Sequence, residues 1–582
     1  MTETGIDAGQ SFATEPDAYR HWRLEVQGQT ATLTLGVDAD GGLAPGYELK
    51  KNSYDLGVYI ELADAVQRLR FTHPQVKAVI VTSGLDRMFS AGANIGMLAR
   101  AEHGFKVNFC KYCNETLAAV EDASASGQVY LAALNGTAAG GGYELALACE
   151  TILLVDDGSS VVGLPEVPLL GVLPGTGGLT RLTDKRGVRR DLADVFATTA
   201  EGIRGQRAVD WRLVDEVAKP TEFAAAIRLM ADAAVYRATG RRTPPSTREA
   251  GIELTPLACS PTQDGLWYEH VRAGYDRGAG TVTLTIAGPD AVPASVAELH
   301  EAGAAGWALA AARELDDAIS RLRFGEPELG TWLLKTTGDP AAVLAMDELL
   351  ASDDWLAREI TGLWKRTLRR LDATSRSLIA LIEPGSCFAG TLLELALAAD
   401  RQYMLDGEFT DGPAVRAGAG GPDVPAGAGG PDVQTGRGGP ATVTVGPVNT
   451  GALPTVSGAS RLAIRFGPAA GSLAAVLAAQ GKELTAAAAA GLGLVTAAPD
   501  DLDWDDEIRL VVAERAGFSP DALTGLEASL RFAGAESLHT KILGRLSAWQ
   551  NWIFLRPNAS GPQGALRRYG TGQRAEFDRK RV

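Results

Sequence analysis

One segment of the chain occurs twice, and this repeat constrains the possible folds more than any other feature of the sequence. Residues 127–150 read GQVYLAALNGTAAGGGYELALACE, and residues 376–400 read RSLIALIEPGSCFAGTLLELALAAD. The strand-like segment at 329–339 (LGTWLLKTTGD) likewise parallels the one at 76–86 (VKAVIVTSGLD). A repeat of this extent indicates duplication of a whole domain, because a solenoid repeats a much shorter unit.

Strand patterns alternate with helix patterns in the first half of the chain. Short apolar runs at 77–84, 128–136 and 151–157 are typical of buried strands. Between them, residues 55–70 and 106–122 show apolar side chains at the three- and four-residue spacing of a helix. This alternation predicts an α/β fold in which helices cover a sheet.

The second copy of the repeat has lost the small residues of the first. When the two copies are aligned, Glu394 corresponds to Glu144, but TL at 391–392 replaces GG at 141–142. Nothing in the second copy matches the AGAN sequence at 91–94. We therefore expect the first copy to be active and the second to be degenerate and structural.

Three glycines at the start of a predicted helix are the first chemical signal, in NGTAAGGGYELALAC at 135–149. A helix N-terminus exposes unpaired N–H groups and the positive end of the helix dipole. Glycine lets a ligand approach that backbone closely, which suits a developing oxyanion. Glu144 follows Gly141 by three residues, so both lie on one side of the helix. The alternative is a tight packing turn without a ligand.

A second small-residue turn and a second acid accompany the glycine helix. The turn FSAGANI at 89–95 follows a predicted strand and could present another backbone donor. Glu166 follows Pro165 in the apolar segment at 161–178. Two carboxylates beside an activated carbonyl can act as acid and base, or can position water. Each feature alone is commonly structural, whereas their order and strand–helix context together favour an active site.

These segments resemble the enoyl-CoA hydratase (crotonase) superfamily over residues 25–255. The resemblance rests on KAVIVTSGLDRMFSAGANI, NGTAAGGGYELALAC and LPEVPLLGVLPGTGGLTRL. It implies a crotonase-like spiral of ββα units, here duplicated, that binds an acyl-CoA. It also implies an oxyanion hole built from the N–H groups of Ala93 and Gly141, with Glu144 and Glu166 as the catalytic glutamates.

The resemblance and the order of segments also suggest residues that contact the substrate. Asn94 stands where members of the superfamily commonly have aspartate. A helix follows the AGAN turn, and its polar side chains are candidates for the wall of the acyl pocket. We expect the acyl group to be bound by Gly140, Asn94, Asn108, Cys110 and Asn114.

Coenzyme A requires a slot for its adenine and cations for its phosphates. The turn that begins at Ala91 could offer backbone groups to the adenine, as it does in the superfamily. Lys50 and Lys51 lie in LKKNSYDL, which resembles the early loop beside the ligand. The alternative is that both lysines are solvated loop residues.

A pair of cysteines, Cys110 and Cys113, has the spacing of a zinc half-site or a redox pair. The chain has no second CxxC, and its six histidines are scattered. We therefore expect no metal and no cofactor apart from the coenzyme A of the substrate.

The whole chain resembles a narrower family, the benzoyl-CoA-dihydrodiol lyases. This likeness rests on VNFCKYCNET (107–116), the degenerate second half and the tail segment RLSAWQNWIFLRPNA (545–559). It implies that 2,3-epoxy-2,3-dihydrobenzoyl-CoA and two waters give 3,4-dehydroadipyl-CoA semialdehyde and formate, without metal or oxygen. Two alternatives stay open: a general enoyl-CoA hydratase or isomerase with a fused inactive domain, and a non-catalytic acyl-CoA-binding scaffold.

The 582 residues exceed one hydrophobic core, so several domains are expected. We predict a catalytic domain at 20–258 and a degenerate copy at 265–500. The Gly/Pro-rich segment 412–446 contains AGAGGPDV twice and is expected to be a disordered insertion. A helical region with a docked tail at 501–582 should complete the chain, and its aromatic residues suggest a homodimer contact.

Composition excludes several partners. The net charge of −16 argues against nucleic-acid binding, which needs a basic face. No apolar run is long enough to span a membrane. Five cysteines form no disulfide framework, and the polar, acidic N-terminus is unlike a secretory signal. These features predict a cytoplasmic protein.

Overall fold

The computed structural model describes residues 10–240, 251–408, 439–467 and 469–582. The chain divides into two compact units, Met1–Pro256 and Leu257–Val582. Each unit is built on a mixed sheet with helices against it, as the α/β prediction requires. Among the described residues, no helix has both the length and the apolarity needed to cross a membrane.

The first unit contains one large sheet and two small ones. Its strands are β1 (Trp22–Gln27), β2 (Thr30–Leu35), β3 (Ser53–Tyr54), β4 (Ala78–Ser83), β5 (Arg87–Ser90), β6 (Gly92–Ala93), β7 (Val129–Leu134), β8 (Gly136–Ala139), β9 (Thr151–Val155), β10 (Val162–Gly163) and β11 (Glu216–Ala218). The large sheet has the order β1-β2-β4-β7-β9-β11, and only β1 and β2 run antiparallel. The small sheets are β10-β8-β5 and β3-β6.

Helices cover the strands of the first unit. They are α1 (Leu56–Phe71), α2 (Ile95–Arg100), α3 (His103–Ala125), α4 (Gly141–Ala148), α5 (Glu166–Leu170), α6 (Gly178–Thr180), α7 (Arg190–Ala197), α8 (Gly205–Asp210) and α9 (Pro220–Gly240). A π-helical segment, Arg181–Lys185, continues α6. Apolar side chains of α9, among them Ile227 and Ala231, pack on Leu131 and Leu153 of the sheet. Central strands that are covered in this way have sequences made of continuous apolar runs.

The second unit has a seven-stranded sheet in the order β12-β13-β14-β15-β16-β17-β18. The strands of this unit are β12 (Ser260–Thr262), β13 (Gly265–Trp267), β14 (Val271–Asp276), β15 (Thr281–Ala287), β16 (Thr331–Thr337), β17 (Ser377–Ile382), β18 (Arg401–Met404), β19 (Thr442–Thr444) and β20 (Glu483–Thr485). From β15 onward the large sheet is parallel.

The helices of the second unit continue as far as Arg568. They are α10 (Val296–Ala302), α11 (Trp307–Gly325), α12 (Pro340–Leu350), α13 (Trp355–Asp372), α14 (Gly390–Ala398), α15 (Arg461–Phe466), α16 (Ala470–Ala478), α17 (Ala486–Gly491), α18 (Trp504–Ala516), α19 (Pro520–Arg531), α20 (Leu538–Thr540), α21 (Ser547–Leu555), α22 (Pro557–Ser560) and α23 (Ala565–Arg568). A π-helical segment, Lys541–Leu546, joins α20 to α21.

Two features of the second unit differ from the expected organisation. Most of the predicted insertion lies outside the described residues, but its end at 442–444 forms β19, which pairs with β20. The alternating β-branched residues of ATVTV explain this strand. The region from 501 onward belongs to the same compact unit, because Trp504 is buried against Ile379 and Tyr403 of the sheet.

Candidate active site

The glycine run forms the N-terminus of α4, as the sequence predicts. Gly140 has φ +54° and ψ −133°, a conformation that L side chains rarely adopt, and its N–H donates to the carbonyl oxygen of Gly163 at 2.9 Å. A Cβ at Gly140 would lie 2.8 Å from Oε1 of Glu166, and a Cβ at Gly141 would overlap the Tyr54 hydroxyl. Both positions therefore require glycine because functional side chains approach this backbone.

Glu144 lies in the first turn of α4, and its side chain is buried. Its Oε1 accepts hydrogen bonds from the N–H groups of Thr176 at 3.0 Å and Gly178 at 2.7 Å. The Thr176 hydroxyl donates to Oε2. Burial raises the pKa of Glu144, whereas these donors and the positive charge of Arg181 oppose the rise. Burial is the larger influence, so the pKa of Glu144 lies above its ordinary value, while the three donors fix the position of the carboxylate.

Glu166 is the first residue of α5 and has a different environment from Glu144. Its side chain is half-buried, and Oε2 has no hydrogen-bond partner among the described residues. Burial, and then the charge of Glu144, raise the pKa of Glu166 to about 7. A carboxyl group with this pKa exchanges a proton readily near neutral pH.

The AGAN turn lies beside the N-terminus of α4. A Cβ at Gly92 would be 2.7 Å from the backbone nitrogen of Gly141, so the two backbones are in contact. In β6, Ala93 pairs with Tyr54 of β3, and the N–H of Asn94 donates to the Tyr54 carbonyl oxygen at 2.8 Å. Because successive N–H groups of a strand point to opposite sides, the N–H of Ala93 points away from β3.

The Asn94 side chain caps α2. Its Oδ1 accepts from the N–H of Met97 at 2.9 Å, and its Nδ2 donates to the Glu48 carbonyl oxygen at 2.8 Å and to Ser53 Oγ at 3.0 Å. Both polar atoms of the amide therefore have protein partners. This cap accounts for an asparagine at the position without requiring a contact to the substrate.

Three other predicted pocket residues lie on α3, and two of them contact the loop that binds Glu144. Asn114 Nδ2 donates to the carbonyl oxygens of Cys110 at 3.0 Å and Gly175 at 3.1 Å. A Cβ at Gly175 would lie 3.3 Å from Cys110 Sγ. Burial, and then the charge of Glu144, raise the pKa of the Cys110 thiol to about 11. Asn108 is buried, and its Nδ2 donates to the Gly104 carbonyl oxygen at 3.0 Å.

The predicted coenzyme A residues meet at the start of the AGAN turn. The N–H of Ala91 donates to the carbonyl oxygen of Lys51 at 3.0 Å. Lys50 is exposed and pairs with Glu48 at 2.6 Å. Lys51 has φ +57°, which is unusual for a side-chain-bearing residue. The structure places both lysines next to Ala91, and contact with coenzyme A stays a prediction.

Sequence reasoning missed Tyr54, Thr176 and Gly178 as parts of the site. Tyr54 is buried against α4, and its ring lies 4.9 Å from that of Tyr59 between centroids. The glycines of GTGG at 175–178 were the signal that could have identified the loop that binds Glu144. A loop that gives two N–H groups to one carboxylate needs a compact backbone, which glycine allows. No comparable signal identifies Tyr54.

The cysteine pair of α3 does not form a metal cluster among the described residues. Cys110 and Cys113 are free thiols. The group of three ligand-type side chains found in the described part of the chain consists of Glu269, His270 and Glu314, in the second unit.

The corresponding helix in the second unit is α14, where Glu394 is fully buried. Arg461 Nη1 pairs with Glu394 Oε2 at 2.9 Å, and Asn449 Nδ2 donates to Oε1 at 2.8 Å. At the N-terminus of α14, the Asp347 carboxylate accepts two hydrogen bonds from Thr391. The N–H group donates at 2.8 Å and the hydroxyl at 2.5 Å. An internal carboxylate thus occupies the helix terminus that is glycine-rich in α4.

Comparison with known proteins identifies the family. A model of the enoyl-CoA hydratase/isomerase family matches residues 48–238, which include the whole glutamate site. The chain is 53% identical over 575 residues to benzoyl-CoA-dihydrodiol lyase of Aromatoleum evansii, and the match covers 98% of each chain. The chain belongs to the benzoyl-CoA-dihydrodiol lyase family. This membership confirms the narrower resemblance drawn from the sequence.

Other relatives and solved structures match a smaller share of the chain. It is 38% identical over 145 residues to the fatty acid oxidation complex subunit alpha of Shewanella loihica, covering 24% of this chain and 19% of that protein. A solved enoyl-CoA hydratase from Bacillus anthracis is 26% identical, covers 37% of this chain and 76% of its own, and has a TM-score of 0.32.

Proposed function

We propose that this chain is a carbon–carbon lyase that opens the ring of 2,3-epoxy-2,3-dihydrobenzoyl-CoA in aerobic benzoate degradation. With two waters, the products are 3,4-dehydroadipyl-CoA semialdehyde and formate. The observation that supports this most strongly is the identity of 53% over 98% of both chains to benzoyl-CoA-dihydrodiol lyase. A general hydratase fused to an inactive half, or a binding scaffold, would not require likeness along the second unit as well.

The proposed oxyanion hole consists of the N–H groups of Ala93 and Gly141. Gly141 is the first residue of α4, so its N–H has no acceptor within the helix, and the contact of Gly92 with this terminus brings the AGAN turn alongside. Two such donors bind a thioester oxygen more strongly as it gains negative charge. Polarisation of the thioester withdraws electrons from the conjugated ring and makes it electrophilic.

The two glutamates differ in a way that assigns them different tasks. Glu166 has a pKa raised to about 7 and one unpartnered oxygen, so it suits the general acid that protonates the epoxide oxygen. Glu144 receives three donors, so it suits the carboxylate that orients and deprotonates water. The two groups interact, so their protons leave in coupled steps.

The balance of atoms defines what the site must supply. The epoxide and the two waters contribute three oxygen atoms. One becomes the aldehyde oxygen of the semialdehyde, and two leave in formate. New C–H bonds replace the bonds to the ring carbon that leaves as formate. No electron acceptor enters, so we propose that the enzyme uses no redox cofactor, and we also propose that it needs no metal. Water, two proton-transferring carboxyls and an electrophilic thioester are sufficient.

We infer that the second unit is a degenerate duplicate of the first. In both sheets an antiparallel pair, β1-β2 or β14-β15, is followed by parallel strands: β4, β7, β9 and β11 in the first unit, and β16, β17 and β18 in the second. At the start of β1, Glu61 accepts hydrogen bonds from the N–H groups of His21 and Trp22. At the start of β14, Glu314 accepts them from the N–H groups of His270 and Val271. Shared strand order and a shared carboxylate contact support common ancestry of the two units.

We further propose that the enzyme acts in the cytoplasm as a homodimer. Support for a contact surface comes from the helices near the end of the chain. Leu543 is 70% exposed, Phe554 52% and Leu555 79%, whereas soluble monomers rarely expose contiguous apolar patches of large size. Trp549 and Trp552 are only half-buried, at 5.6 Å between ring centroids.

The proposed reaction is tested by formate release. Purified protein is supplied with enzymatically made 2,3-epoxy-2,3-dihydrobenzoyl-CoA under anaerobic conditions with a chelator, and crotonyl-CoA hydration is measured in parallel. We expect one formate per substrate consumed. Rapid hydration of crotonyl-CoA without formate would instead identify a general hydratase.

A further inference from the structure

We propose that Glu121 is a positioning residue for the reaction, acting on Glu144 from outside the site through Arg181 and Lys185. The inference rests on the proposed function, since it assigns Glu144 a role in turnover. We call the three residues Glu121, Arg181 and Lys185 the Glu121 clamp. None of them bonds directly to Glu144.

One arm of the clamp fixes the loop that supplies the donors to Glu144. Arg181 Nε and Nη2 donate to the two carboxylate oxygens of Glu121, each at 2.9 Å. The third nitrogen, Nη1, donates to the carbonyl oxygen of Thr176 at 2.8 Å. A bidentate pair fixes the guanidinium plane, so the remaining N–H fixes the position of Thr176.

The other arm fixes the helix on which Glu144 lies. Lys185 Nζ contacts Glu121 Oε1 at 3.2 Å and donates to the carbonyl oxygen of Ala148 at 2.7 Å. Ala148 is the last residue of α4, where carbonyl groups lack helical acceptors and a cation is favourable. A single carboxylate on α3 therefore ties together α4 and the loop that binds its glutamate.

The consequence concerns geometry at Glu144. The N–H groups of Thr176 and Gly178 reach Glu144 only while the loop keeps its place against α4. Gly177 has φ +89°, and a Cβ there would overlap Arg181 Nη1, which shows how closely the guanidinium lies on the loop. Misplacement of a reacting group by about 1 Å can reduce turnover about 100-fold.

The side chain of Glu121 is 30% exposed, so its substitution leaves the buried core intact. The test compares Glu121→Gln with Asp64→Asn. Asp64 forms an ion pair with Arg68 at 2.6 Å within α1, which makes it a matched carboxylate in the same unit without contact to the clamp. The third variant is Arg181→Lys, which keeps the positive charge but cannot form the two parallel hydrogen bonds to Glu121.

Two measurements are made on the full-length protein. Hydrogen–deuterium exchange of peptides covering residues 173–182 reports on the N–H groups bound to Glu144 without any need for activity. Kinetics with the epoxide, together with the Kd of benzoyl-CoA, separate turnover from binding. We expect faster exchange in that segment and a kcat lower by about 10- to 100-fold for Glu121→Gln, with Kd within about twofold and Asp64→Asn unchanged. Arg181→Lys should give the same effects.

Unchanged exchange at 173–182 in Glu121→Gln would overturn the inference. So would faster exchange throughout the unit with a matching loss in Kd, which would mean general loosening of the fold. If the unsubstituted protein releases no formate, the proposed function fails, and the exchange result still decides whether the clamp positions the loop.

Discussion

The helices α4 and α14 occupy corresponding places in the two units, yet different groups lie at their N-termini. At α4 the glycines lie against the Tyr54 hydroxyl and Glu166, and Glu144 receives neutral donors. At α14 the Asp347 carboxylate binds Thr391, and Arg461 neutralises Glu394. A strand–helix arrangement of the same kind therefore carries the proposed active site in one unit and a polar core whose charged groups pair with one another in the other.

The difference teaches that loss of a site involves more than loss of glycines. A buried helix terminus needs an anion or another partner once no ligand comes there. A buried glutamate likewise needs a counter-ion or a donor set. In the second unit both requirements are met from within the chain, as the proposed structural role of this unit requires.

The largest effect that separates the two helices is expected from Glu144→Gln. Loss of a carboxylate that deprotonates water should lower kcat by about 10³-fold while benzoyl-CoA still binds. The measurement is the rate of formate release together with the Kd of benzoyl-CoA. Turnover within a few-fold of the unsubstituted enzyme would remove Glu144 from the mechanism.

Glu394→Gln should show the opposite pattern. Glu394→Gln removes one of the two buried counter-ions of Arg461 and leaves Asp372, which pairs with Arg461 at 2.7 Å. The free energy of unfolding should therefore fall by about 2 kcal/mol, the contribution of a hydrogen bond to a charged group. Catalysis at permissive temperature should stay the same. Denaturant unfolding of Glu144→Gln and Glu394→Gln in parallel tests this difference between the two glutamates. A Glu394→Gln variant with a lower kcat and unchanged stability would contradict it.

Asp347→Ala tests whether the helix terminus in the second unit depends on its internal anion. The N–H and hydroxyl of Thr391 would lose their acceptor, at a cost of about 2 kcal/mol in unfolding free energy. Thermal unfolding measures this loss, and addition of sulfate or phosphate should restore part of it. A variant as stable as the parent protein would show that the terminus needs no anion.

A smaller effect is expected from pH on Glu166. Its pKa in the folded protein, about 7, lies above the ordinary value, so the folded state binds a proton more tightly than the unfolded state. The contribution of Glu166 to stability is therefore fully present below the ordinary carboxyl pKa and is lost as pH rises to about 7. Glu166→Gln should abolish this loss, so its Tm advantage over the parent should grow between about pH 5 and 8.

A Tm difference that stays constant across this range would contradict the raised pKa. In kinetics, the same group acting as an acid predicts that kcat/KM falls above about pH 7.

Much of the first unit followed from sequence, because its signals are local. Apolar periodicity placed α1 and β4 within a residue of their observed bounds, and the glycine run placed the N-terminus of α4. The family resemblance added Glu166, which the structure brings beside Gly140. Tyr54 could not be foreseen, since its contact with Gly141 depends on the pairing of β3 with β6.

Long-range contacts also explain what the sequence did not predict in the second unit. The repeat identified Glu394, but Arg461 and Asn449 come from distant segments. Composition suggested disorder up to 446, whereas pairing with β20 makes 442–444 a strand. A separate region from 501 was expected, yet burial of Trp504 on the sheet joins it to the unit.

The central claim is that one unit binds the acyl-CoA and the other does not. Isothermal titration of the full-length protein with benzoyl-CoA tests this most directly, because it counts sites per chain. The account predicts one site per chain, retained in Asp347→Ala and in Glu394→Gln. Two equivalent sites per chain, or loss of binding in Glu394→Gln at a temperature where the protein stays folded, would contradict it.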